Sequence, residues 1–566
     1  MTRCKAARVF LAGLLVGCGI LPTRHAGAQE PAREFATIIA EFRDSIPKLM
    51  EETQLPGLAL AVVDRERVLW AEGFGFTDGR RTVPVSIATP FSVQSMAKSF
   101  TAVALLIAAQ QGLVSLDEPI TTYLPSFTVN SRFEEHPERR MTLRLLLSHR
   151  AGFTHEAPVG NNYELDQGTF EEHIASISRT WLRFPVGQRY SYSNLGVDLA
   201  GYILQVRSGV PFESFVRQNL LLPLGMTGST FDQGEIARMP DRAIGHSRSL
   251  DTIPVAVPMI PAGGLYSTAA DLARFVQFQL NRGSVAGQPL VAEPLLEQMW
   301  AMYEPDPRQT VGYGLGLGIQ TRHGTHYLSH GGGGFGFRSH MGWFPEYGLG
   351  IVLLTNSDDH PYQNALPQAI LDRFIAARHG EAAVSARETA RETSEPHAVA
   401  PDRLAGLDGL YLYASGGYMI VVCHDGRLGT GPVEQFSPFT FLSEEVAVAE
   451  HRGEPFHYRF LRNPDGSAAM LVRLYDATVL DFNDGPHDPP GPDRPGWERY
   501  VGQYRYRIFG KPARTVELSR RNGYLYLDHM KLREHQPGLF FAPHGEALDL
   551  RGAVPTWRNI KLERVE

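Results

Sequence analysis

Two kinds of hydrophobic pattern divide the chain. From about residue 34 to 380, short runs of β-branched residues alternate with longer helical runs. The runs LALAVVD and RVLWAEGFG (58–75) predict a hairpin, and HMGWFPEYGLGIVLLTN (340–356) predicts two strands around a Pro-Glu-Tyr-Gly turn. Helical patterns lie between them, in SFTAVALLIAAQQG, LRLLLSH, NLGVDLAGYILQVRSG and TAADLARFVQFQL. Strands from both ends of the segment, with helices inserted between them, predict one large α/β domain over 34–380.

The pattern changes after a charged segment with almost no large apolar residues, which predicts a linker over 381–402. Beyond it, apolar and polar residues alternate between glycine-containing turns. The stretches GLYLYASGGYMIVVCHDGRLG and GQYRYRIFGKPARTVELSRRNGYLYL resemble each other, and a proline-rich segment (484–496) separates them. We interpret them as two half-barrel repeats and predict one closed β-barrel of about eight strands over 403–566.

The first 28 residues have the composition of a secretory signal. Basic residues precede an apolar core that ends at Ala26-Gly27-Ala28, a small-x-small cleavage site. The core is too short for a membrane span, so we expect export to the periplasm or the medium, with no integral span after cleavage. The alternative is a lipoprotein anchored at Cys18, within the sequence Leu-Val-Gly-Cys. Cleavage of the signal leaves Cys423 alone, which excludes a disulfide within one chain.

Composition limits the class of partner. The chain has 566 residues, too many for one domain, and a net charge of −7. This charge gives no basic surface for nucleic acid or anionic lipid. We therefore expect a small-molecule or peptide substrate; the oligomeric state stays open.

Lysine is scarce, and one lysine stands out. Between Lys48 and Lys511 the chain has only Lys98, although Lys and Arg together number 54. A buried ammonium can give up its proton in a protein, whereas a guanidinium cannot. Ser95 lies three residues before Lys98, so both share one face of the predicted helix. A serine hydroxyl beside an amine that can take its proton is an arrangement for nucleophilic attack. The alternative is a capping serine beside a solvated lysine.

Two further stretches could supply partners for this pair. Tyr192 and Asn194 come just before a predicted helix; a phenol can move a proton, and an amide can hold a substrate carbonyl. His330 is followed by four glycines at the entry to a strand, where the N–H of Gly333 could face that of Ser95 and form an oxyanion hole. The alternatives are a helix cap beside a core tyrosine, and a flexible glycine-rich turn.

A metal site formed by His323, His326 and His330 is a weaker interpretation. A glycine-rich coil supplies neither helical nor strand spacing for these ligands, and no carboxylate joins them. We predict no metal here.

Three motifs occur in this order along the chain: Ser95-x-x-Lys98, Tyr192-x-Asn194 and His330-x-Gly332. They resemble the active-site motifs of the serine β-lactamase and penicillin-binding-protein superfamily. They are most similar to its class C-like branch of D-alanyl-D-alanine carboxypeptidases, D-aminopeptidases and esterases, where the third motif is often His-x-Gly instead of Lys-Thr-Gly. The resemblance covers roughly residues 34 to 380.

This resemblance implies a fold and a cofactor requirement. The expected fold is an antiparallel sheet flanked by helices and packed on an all-helical subdomain, with the site between them. Neither a metal nor an organic cofactor is implied. The C-terminal segment is similar to the lipocalin-like barrel that some members of the branch carry.

The resemblance also implies roles. Ser95 would attack the substrate carbonyl and form an acyl-enzyme, with Lys98 activating the serine. Tyr192, hydrogen-bonded to Lys98, would pass the proton to the leaving group and later activate water. Whether Lys98 or Tyr192 is the true base stays open, since such a pair titrates together.

The remaining implied roles concern the substrate. Asn194 would orient it, His330 and Gly332 would line the far wall, and the N–H groups of Ser95 and Gly333 would bind the oxyanion. A neutral histidine in the third motif favours an ester, amide or amino-terminal substrate over efficient β-lactam hydrolysis. We therefore predict an exported serine hydrolase, a peptidase or esterase. The alternatives are a β-lactamase and a non-catalytic ligand-binding protein of the same fold.

Overall fold

The computed structural model describes most of the chain. The described ranges are 33–164, 168–248, 250, 252–303, 311–384, 396–404, 406–413, 418–431, 436–451, 454–463, 466–473, 478–484, 494–521 and 523–565. The predicted signal peptide, with Cys18, lies outside these ranges, and so does the middle of the predicted linker.

Twelve α-helices are found in the described ranges. They are α1 (Ala36–Thr53), α2 (Ala97–Gln110), α3 (Leu143–Leu147), α4 (Phe170–Ile177), α5 (Asn194–Ser208), α6 (Phe212–Val216), α7 (Gln233–Arg238), α8 (Ile260–Gly263), α9 (Ala269–Leu280), α10 (Glu293–Met299), α11 (Tyr362–His379) and α12 (Pro401–Leu404). The four helical patterns in the sequence correspond to α2, α3, α5 and α9.

One antiparallel sheet of seven strands organises the first part of the chain, in the order β2-β1-β11-β10-β9-β8-β7. The strands of this part are β1 (Gly57–Asp64), β2 (Val68–Gly75), β3 (Phe91–Ser92), β4 (Tyr266–Ser267), β5 (Ser284–Val285), β6 (Gln288–Pro289), β7 (Val311–Tyr313), β8 (Gly318–Arg322), β9 (Thr325–Gly334), β10 (Phe337–Phe344) and β11 (Leu349–Thr355). β1 pairs with β2, which confirms the predicted hairpin. β1 also pairs with β11, which confirms that strands from both ends of this segment form one sheet.

The strand β1, second from one edge of the sheet, is covered on both faces. Its alanines at 59 and 61 belong to the core shared with α2, α5 and α9, whereas Leu58 and Leu60 belong to a second core with α1 and α11. Successive side chains of a strand point to opposite faces, which explains this division. The result is the predicted α/β fold, a sheet between helical layers. One of these layers extends into a helical region in which α5 contacts α2, α3 and α8, and α2 also contacts α8.

The C-terminal region consists of two β-structures. The first is a nine-stranded sheet formed by β12 (Gly409–Tyr413), β13 (Tyr418–His424), β14 (Arg427–Thr430), β15 (Ser437–Pro438), β16 (Thr440–Phe441), β17 (Val446–His451), β18 (Glu454–Arg462), β19 (Ala468–Arg473) and β20 (Thr478–Asp484). The second is a closed barrel of β21 (Gly502–Ile508), β22 (Lys511–Arg521), β23 (Tyr524–Leu527), β24 (Met530–Gln536), β25 (Leu539–Phe541), β26 (Ala547–Asp549), β27 (Thr556–Trp557) and β28 (Ile560–Val565).

The closed barrel has the eight antiparallel strands of a lipocalin-like domain, as predicted. The interpretation as half-barrels differs from the structure. Each repeat opens a β-structure of its own, because each is followed by enough strands to bury one apolar face. The two structures touch through β12, whose Leu410 and Leu412 join the core of the barrel while Tyr411 joins that of the nine-stranded sheet. The boundaries at 380 and 403 stay predictions.

No helix within the described ranges has both the length and the apolar character needed to cross a membrane. Cys423 is a free and exposed thiol.

Candidate active site

Ser95 and Lys98 meet where the apolar helix α2 begins. Ser95 is half-buried in a single 3₁₀ turn (Gln94–Met96), and Lys98 lies fully buried in the first turn of α2. The Lys98 Nζ donates hydrogen bonds to Ser95 Oγ (3.0 Å), Asn194 Oδ1 (2.8 Å) and the Ala262 carbonyl (2.9 Å). These acceptors match the three protons of an ammonium, and none of them carries a charge.

The backbone just before Ser95 is strained. Gln94 has a φ of 52°, in the left-handed region that non-glycine residues seldom adopt. Its Nε2 donates to Ser92 Oγ (2.8 Å), and the carbonyl of Val93 accepts a hydrogen bond from Ser339 Oγ (2.7 Å) on β10. Such strain persists only where the surroundings enforce it, and it is concentrated at functional sites.

Tyr192 and Asn194 flank the N-cap of α5. Ser193 caps this helix, since its Oγ accepts a hydrogen bond from the Leu195 N–H (3.1 Å). Asn194, in the first turn, therefore reaches Lys98 across the site. Tyr192 contacts Lys98 through its ring, whose centroid lies 5.0 Å from Nζ. The implied hydrogen bond between Tyr192 and Lys98 is replaced by this cation–π contact, because the protons of Lys98 go to the other three acceptors.

His330 lies inside β9 near its end, not at the entry to a strand. Its Nδ1 donates to the carbonyl of Gly331 (2.6 Å), so its Nε2 accepts a hydrogen bond from the Tyr313 hydroxyl (2.7 Å). Burial, together with the nearby charge of Lys98, lowers the pKa of His330 to about 3. The imidazole is therefore neutral at pH 7, as expected for the third motif, and it offers a substrate no positive charge.

Gly332 brings β9 against the turn that carries Ser95. A Cβ at Gly332 would lie 2.1 Å from the Val93 carbonyl oxygen and 2.4 Å from Ser339 Oγ. No larger residue fits there without moving one of these neighbours. Gly333 is different, because it is exposed and a Cβ there would meet nothing within 4 Å. The space beside Gly333 on β9 is therefore open and leaves room for a ligand.

An aromatic enclosure around Tyr192 was not predicted from the sequence. The ring centroid of His149 lies 4.3 Å from that of Tyr192. The ring centroids of His155 and Tyr313 lie 5.7 and 6.3 Å from it. His149 Nδ1 accepts a hydrogen bond from the Ser193 N–H (3.2 Å), while its Nε2 is buried without a partner. Burial, then the charge of Lys98, hold the pKa of His149 well below its ordinary value.

The sequence contained only weak signals for these residues. His149 is the last residue of the helical run LRLLLSH, and Tyr313 lies in a glycine-rich stretch. In the sequence, neither residue can be distinguished from an ordinary core residue. Only the fold brings their rings next to Tyr192.

The three histidines of the metal interpretation have separate partners. His323 Nε2 pairs with Asp372 (2.8 Å) and His326 with Glu346 (3.5 Å), while His330 bonds to Tyr313. In the part of the chain that the structure describes, no cluster of three or more His, Cys, Asp or Glu could hold a metal ion.

The chain is similar to known proteins in sequence and in fold. The family model described as Beta-lactamase matches residues 42–374. Beta-lactamase-like protein 2 of Dictyostelium discoideum is 26% identical over 282 residues, which are 48% of this chain and 51% of that protein. The chain thus spans about half the length of that relative.

Two solved structures share the fold. The octameric penicillin-binding protein homologue from Pyrococcus abyssi is 24% identical, with a TM-score of 0.54, and the match covers 78% of this chain and 99% of that one. The crystal structure of SurE with D-Leu is 24% identical, with a TM-score of 0.55, and covers 79% of this chain and 99% of that one.

Proposed function

Because the chain belongs to the beta-lactamase family, we propose that it is an exported serine hydrolase that forms an acyl-enzyme on Ser95. One observation carries the proposal: the buried Nζ of Lys98 lies 3.0 Å from Ser95 Oγ, and no carboxylate is among its three partners. An amine in this position can take the serine proton as the oxygen attacks a carbonyl carbon.

The first half-reaction needs a base, an acid and an oxyanion site. In its neutral amine form, Lys98 accepts the proton of Ser95, and the serine oxygen attacks the carbonyl carbon to form a tetrahedral intermediate. The N–H groups of Ser95 and Gly333 stabilise its oxyanion. Tyr192, whose ring lies over Lys98, passes the proton to the leaving group, which departs and leaves the acyl-enzyme.

Hydrolysis of the acyl-enzyme reverses these roles. Tyr192 and Lys98 take a proton from water, the hydroxide attacks the ester carbonyl, and Ser95 regains its proton as it leaves. Asn194 bonds to Lys98 through its oxygen, and its amide nitrogen donates one hydrogen bond to Met259 Sδ (3.6 Å), which leaves one amide N–H to orient the acyl group.

The neutral state of His330 supports a substrate without a carboxylate at this wall. The pKa of about 3 removes the positive charge that would recognise a β-lactam carboxylate or a C-terminal carboxylate. We therefore favour an ester or an amide, including the amide of a D-amino acid. The presence of D-Leu in the SurE structure supports the inclusion of D-residues in the panel below.

A substrate panel tests the proposal on the purified chain. It contains p-nitrophenyl esters, D- and L-amino acid amides, D-Ala-D-Ala peptides and nitrocefin. We expect turnover of an ester or amide and covalent labelling by a fluorophosphonate. Fast hydrolysis of nitrocefin alone would identify a β-lactamase. The absence of both turnover and labelling would favour the non-catalytic ligand-binding alternative.

Export is tested separately. The small-x-small site at residues 26–28 predicts that the mature protein begins at Gln29. Mass spectrometry of the protein from its native host should find this terminus; a diacylglyceryl group on Cys18 would instead identify a lipoprotein.

A further inference from the structure

A carboxylate of the closed barrel lies within the wall of the candidate active site. Glu546, in the turn between β25 and β26, is almost fully buried. Its Oε2 accepts a hydrogen bond from Thr154 Oγ1 (2.6 Å), and its Oε1 lies 3.3 Å from Arg183 Nε. Thr154 and Arg183 belong to the first part of the chain, so Glu546 joins the barrel to the domain that carries Ser95.

Both partners of Glu546 bind a neighbour of Tyr192. The carbonyl of Thr154 accepts a hydrogen bond from Ser193 Oγ (2.6 Å), and a guanidinium nitrogen of Arg183 donates to Ser191 Oγ (3.0 Å). Ser191 and Ser193 are the residues on either side of Tyr192. One hydrogen-bonded path through Thr154, and a second that begins with the ion pair between Glu546 and Arg183, therefore connect one barrel carboxylate to the residues on either side of the phenol.

The charges at this contact are complementary and fully enclosed. Arg183 is buried along its whole length, and burial lowers its pKa, an effect that Glu546 opposes. Burial alone would raise the pKa of the Glu546 carboxyl, but Arg183 and Arg558 hold it below its ordinary value. A buried ion pair is sensitive to the loss of one partner, since the remaining charge is left uncompensated.

The turn around Glu546 fits closely against the same wall. The carbonyl of His544 accepts a hydrogen bond from Arg183 Nε (3.0 Å), and a Cβ at Gly545 would lie 2.3 Å from the Arg183 carbonyl oxygen. Asn559, also in the barrel, donates to the carbonyl of Glu156 (2.8 Å). The barrel thus contacts the segment that carries His155, whose ring stacks on Tyr192.

We propose that Glu546 is a positioning residue for Tyr192, and that the barrel is in this way a working part of the active site. The inference rests on the proposed function, in which Tyr192 moves the proton. Glu546 supplies no atom to the substrate. It fixes Thr154 and Arg183, which fix the two serines beside the phenol, and proton transfer is sensitive to misplacement of the phenol by a fraction of an ångström.

A matched pair of variants at Thr154 tests the first path. Thr154→Val keeps the shape of the side chain but removes the hydroxyl that binds Glu546, whereas Thr154→Ser keeps the hydroxyl. We expect Thr154→Val to lower kcat for a p-nitrophenyl ester about tenfold or more, with KM changed by less than about twofold. Thr154→Ser should restore most of the rate. If Thr154 only stabilised the fold, Thr154→Val would lower the melting temperature but would not lower kcat while KM stays nearly unchanged.

Glu546→Gln tests the second path, with Glu563→Gln as its control. Glu563 forms an exposed ion pair with Arg507 elsewhere on the barrel, at 2.9 Å. Hydrogen exchange of the amides of residues 191–195 gives a readout that needs no activity. We expect exchange to become at least about tenfold faster in Glu546→Gln and Thr154→Val, and to stay unchanged in Glu563→Gln.

The outcomes separate this inference from the proposed function. Wild-type kcat and wild-type exchange in both Glu546→Gln and Thr154→Val would overturn the inference. A wild-type protein that hydrolyses no member of the panel and takes no serine probe would overturn the proposed function, while the exchange rates would still decide whether the barrel holds the Tyr192 segment. If Glu546→Gln does not fold, the Thr154 pair decides.

Discussion

The Nζ of Lys98 lies 3.0 Å from the Oγ of Ser95, at the end of a side chain with no exposure to solvent. The side chain cannot act as a solvated surface cation, because its three protons are directed at acceptors within the protein. This position distinguishes two uses of a lysine. A structural lysine needs only its charge, whereas a base must also release and accept a proton.

We expect Lys98→Arg to lower the single-turnover acylation rate with a p-nitrophenyl ester by a factor of about one hundred or more, the usual contribution of a positioned base. Arginine keeps the charge but cannot accept the serine proton. Lys511→Arg, in the barrel, is the control and should acylate at the wild-type rate. A folded Lys98→Arg enzyme with wild-type acylation would show that Lys98 is not the base.

Two serines of the same segment should separate chemistry from stability. Ser95→Ala should abolish covalent labelling by a fluorophosphonate with little change in the melting temperature, since Ser95 is half-buried. Ser99 is buried in α2 and donates to the carbonyl of Gly316 (2.6 Å). Ser99→Ala should keep the labelling but lower the free energy of unfolding by about 1 to 3 kcal/mol, because a buried acceptor loses its donor. Labelling of a folded Ser95→Ala protein would mean that the nucleophile is another residue.

Adjacent glycines provide a test of the close approach of β9. Gly332→Ala should lower the acylation rate about a hundredfold, because its Cβ would displace β9 or the turn at Val93 and misplace the oxyanion site. Gly333→Ala keeps the N–H proposed to bind the oxyanion and adds a methyl group in open space, so we expect at least a tenth of the wild-type rate. The comparison requires single-turnover kinetics and a thermal melt for each variant. Equal acylation rates in Gly332→Ala and Gly333→Ala would show that the close approach of β9 to Val93 does not determine the rate.

Buried neutral histidines should make the protein sensitive to mild acid. Burial, as the first cause in each case, lowers the pKa of His330 to about 3, of His340 to about 4 and of His544 to about 3. The unfolded chain binds their protons near pH 6.5, so the stability they contribute is full above that pH and declines as the pH falls towards 3. Between its folded and its unfolded pKa, each histidine contributes a slope of at most about 1.4 kcal/mol per pH unit.

One histidine acts in the opposite direction. Burial would lower the pKa of His173, but the hydrogen bond and charge of Asp198 raise it overall, so its contribution is present at low pH and is lost as the pH rises through the raised value. We still expect a net loss, because His149 and His360 also have a lowered pKa, so the histidines that lose stability in acid outnumber His173. Denaturant titrations at pH 7.0, 5.5 and 4.5 measure this slope. His340→Gln should reduce it, and a free energy of unfolding that is flat between pH 7.0 and 4.5 would refute the prediction.

Pairs of residues close in sequence could be predicted because local geometry fixes their separation. Ser95 and Lys98 share a helix face whatever the rest of the chain does. The same reasoning made β1, β2, β10 and β11 predictable, since their patterns include the turns that join them. The roles of Tyr192, Asn194 and His330 needed the resemblance to the family, because their positions relative to Ser95 depend on the whole fold.

Contacts between distant segments could not be predicted in this way. His149 lies beside Tyr192 partly because its own backbone is left-handed, with a φ of 58°, in a turn that no residue type demands. Glu546 looks like any polar residue of a barrel turn until it meets Thr154 and Arg183. The strand count of each C-terminal β-structure was equally inaccessible, because a repeat shows where a unit begins but not how many strands it needs to bury its core.

The hydrogen bond between Thr154 and Glu546 joins residues 392 positions apart in the chain. During synthesis at about 5 to 20 residues per second, the ribosome needs roughly 20 to 80 s to pass from one to the other. By the end of this interval all three motif segments have been synthesised, yet Arg183 and Thr154 still lack the carboxylate that binds them. The wall beside Tyr192 is thus completed last, when nearly the whole chain has been made, and a chain released early from the ribosome carries Ser95 and Lys98 without it.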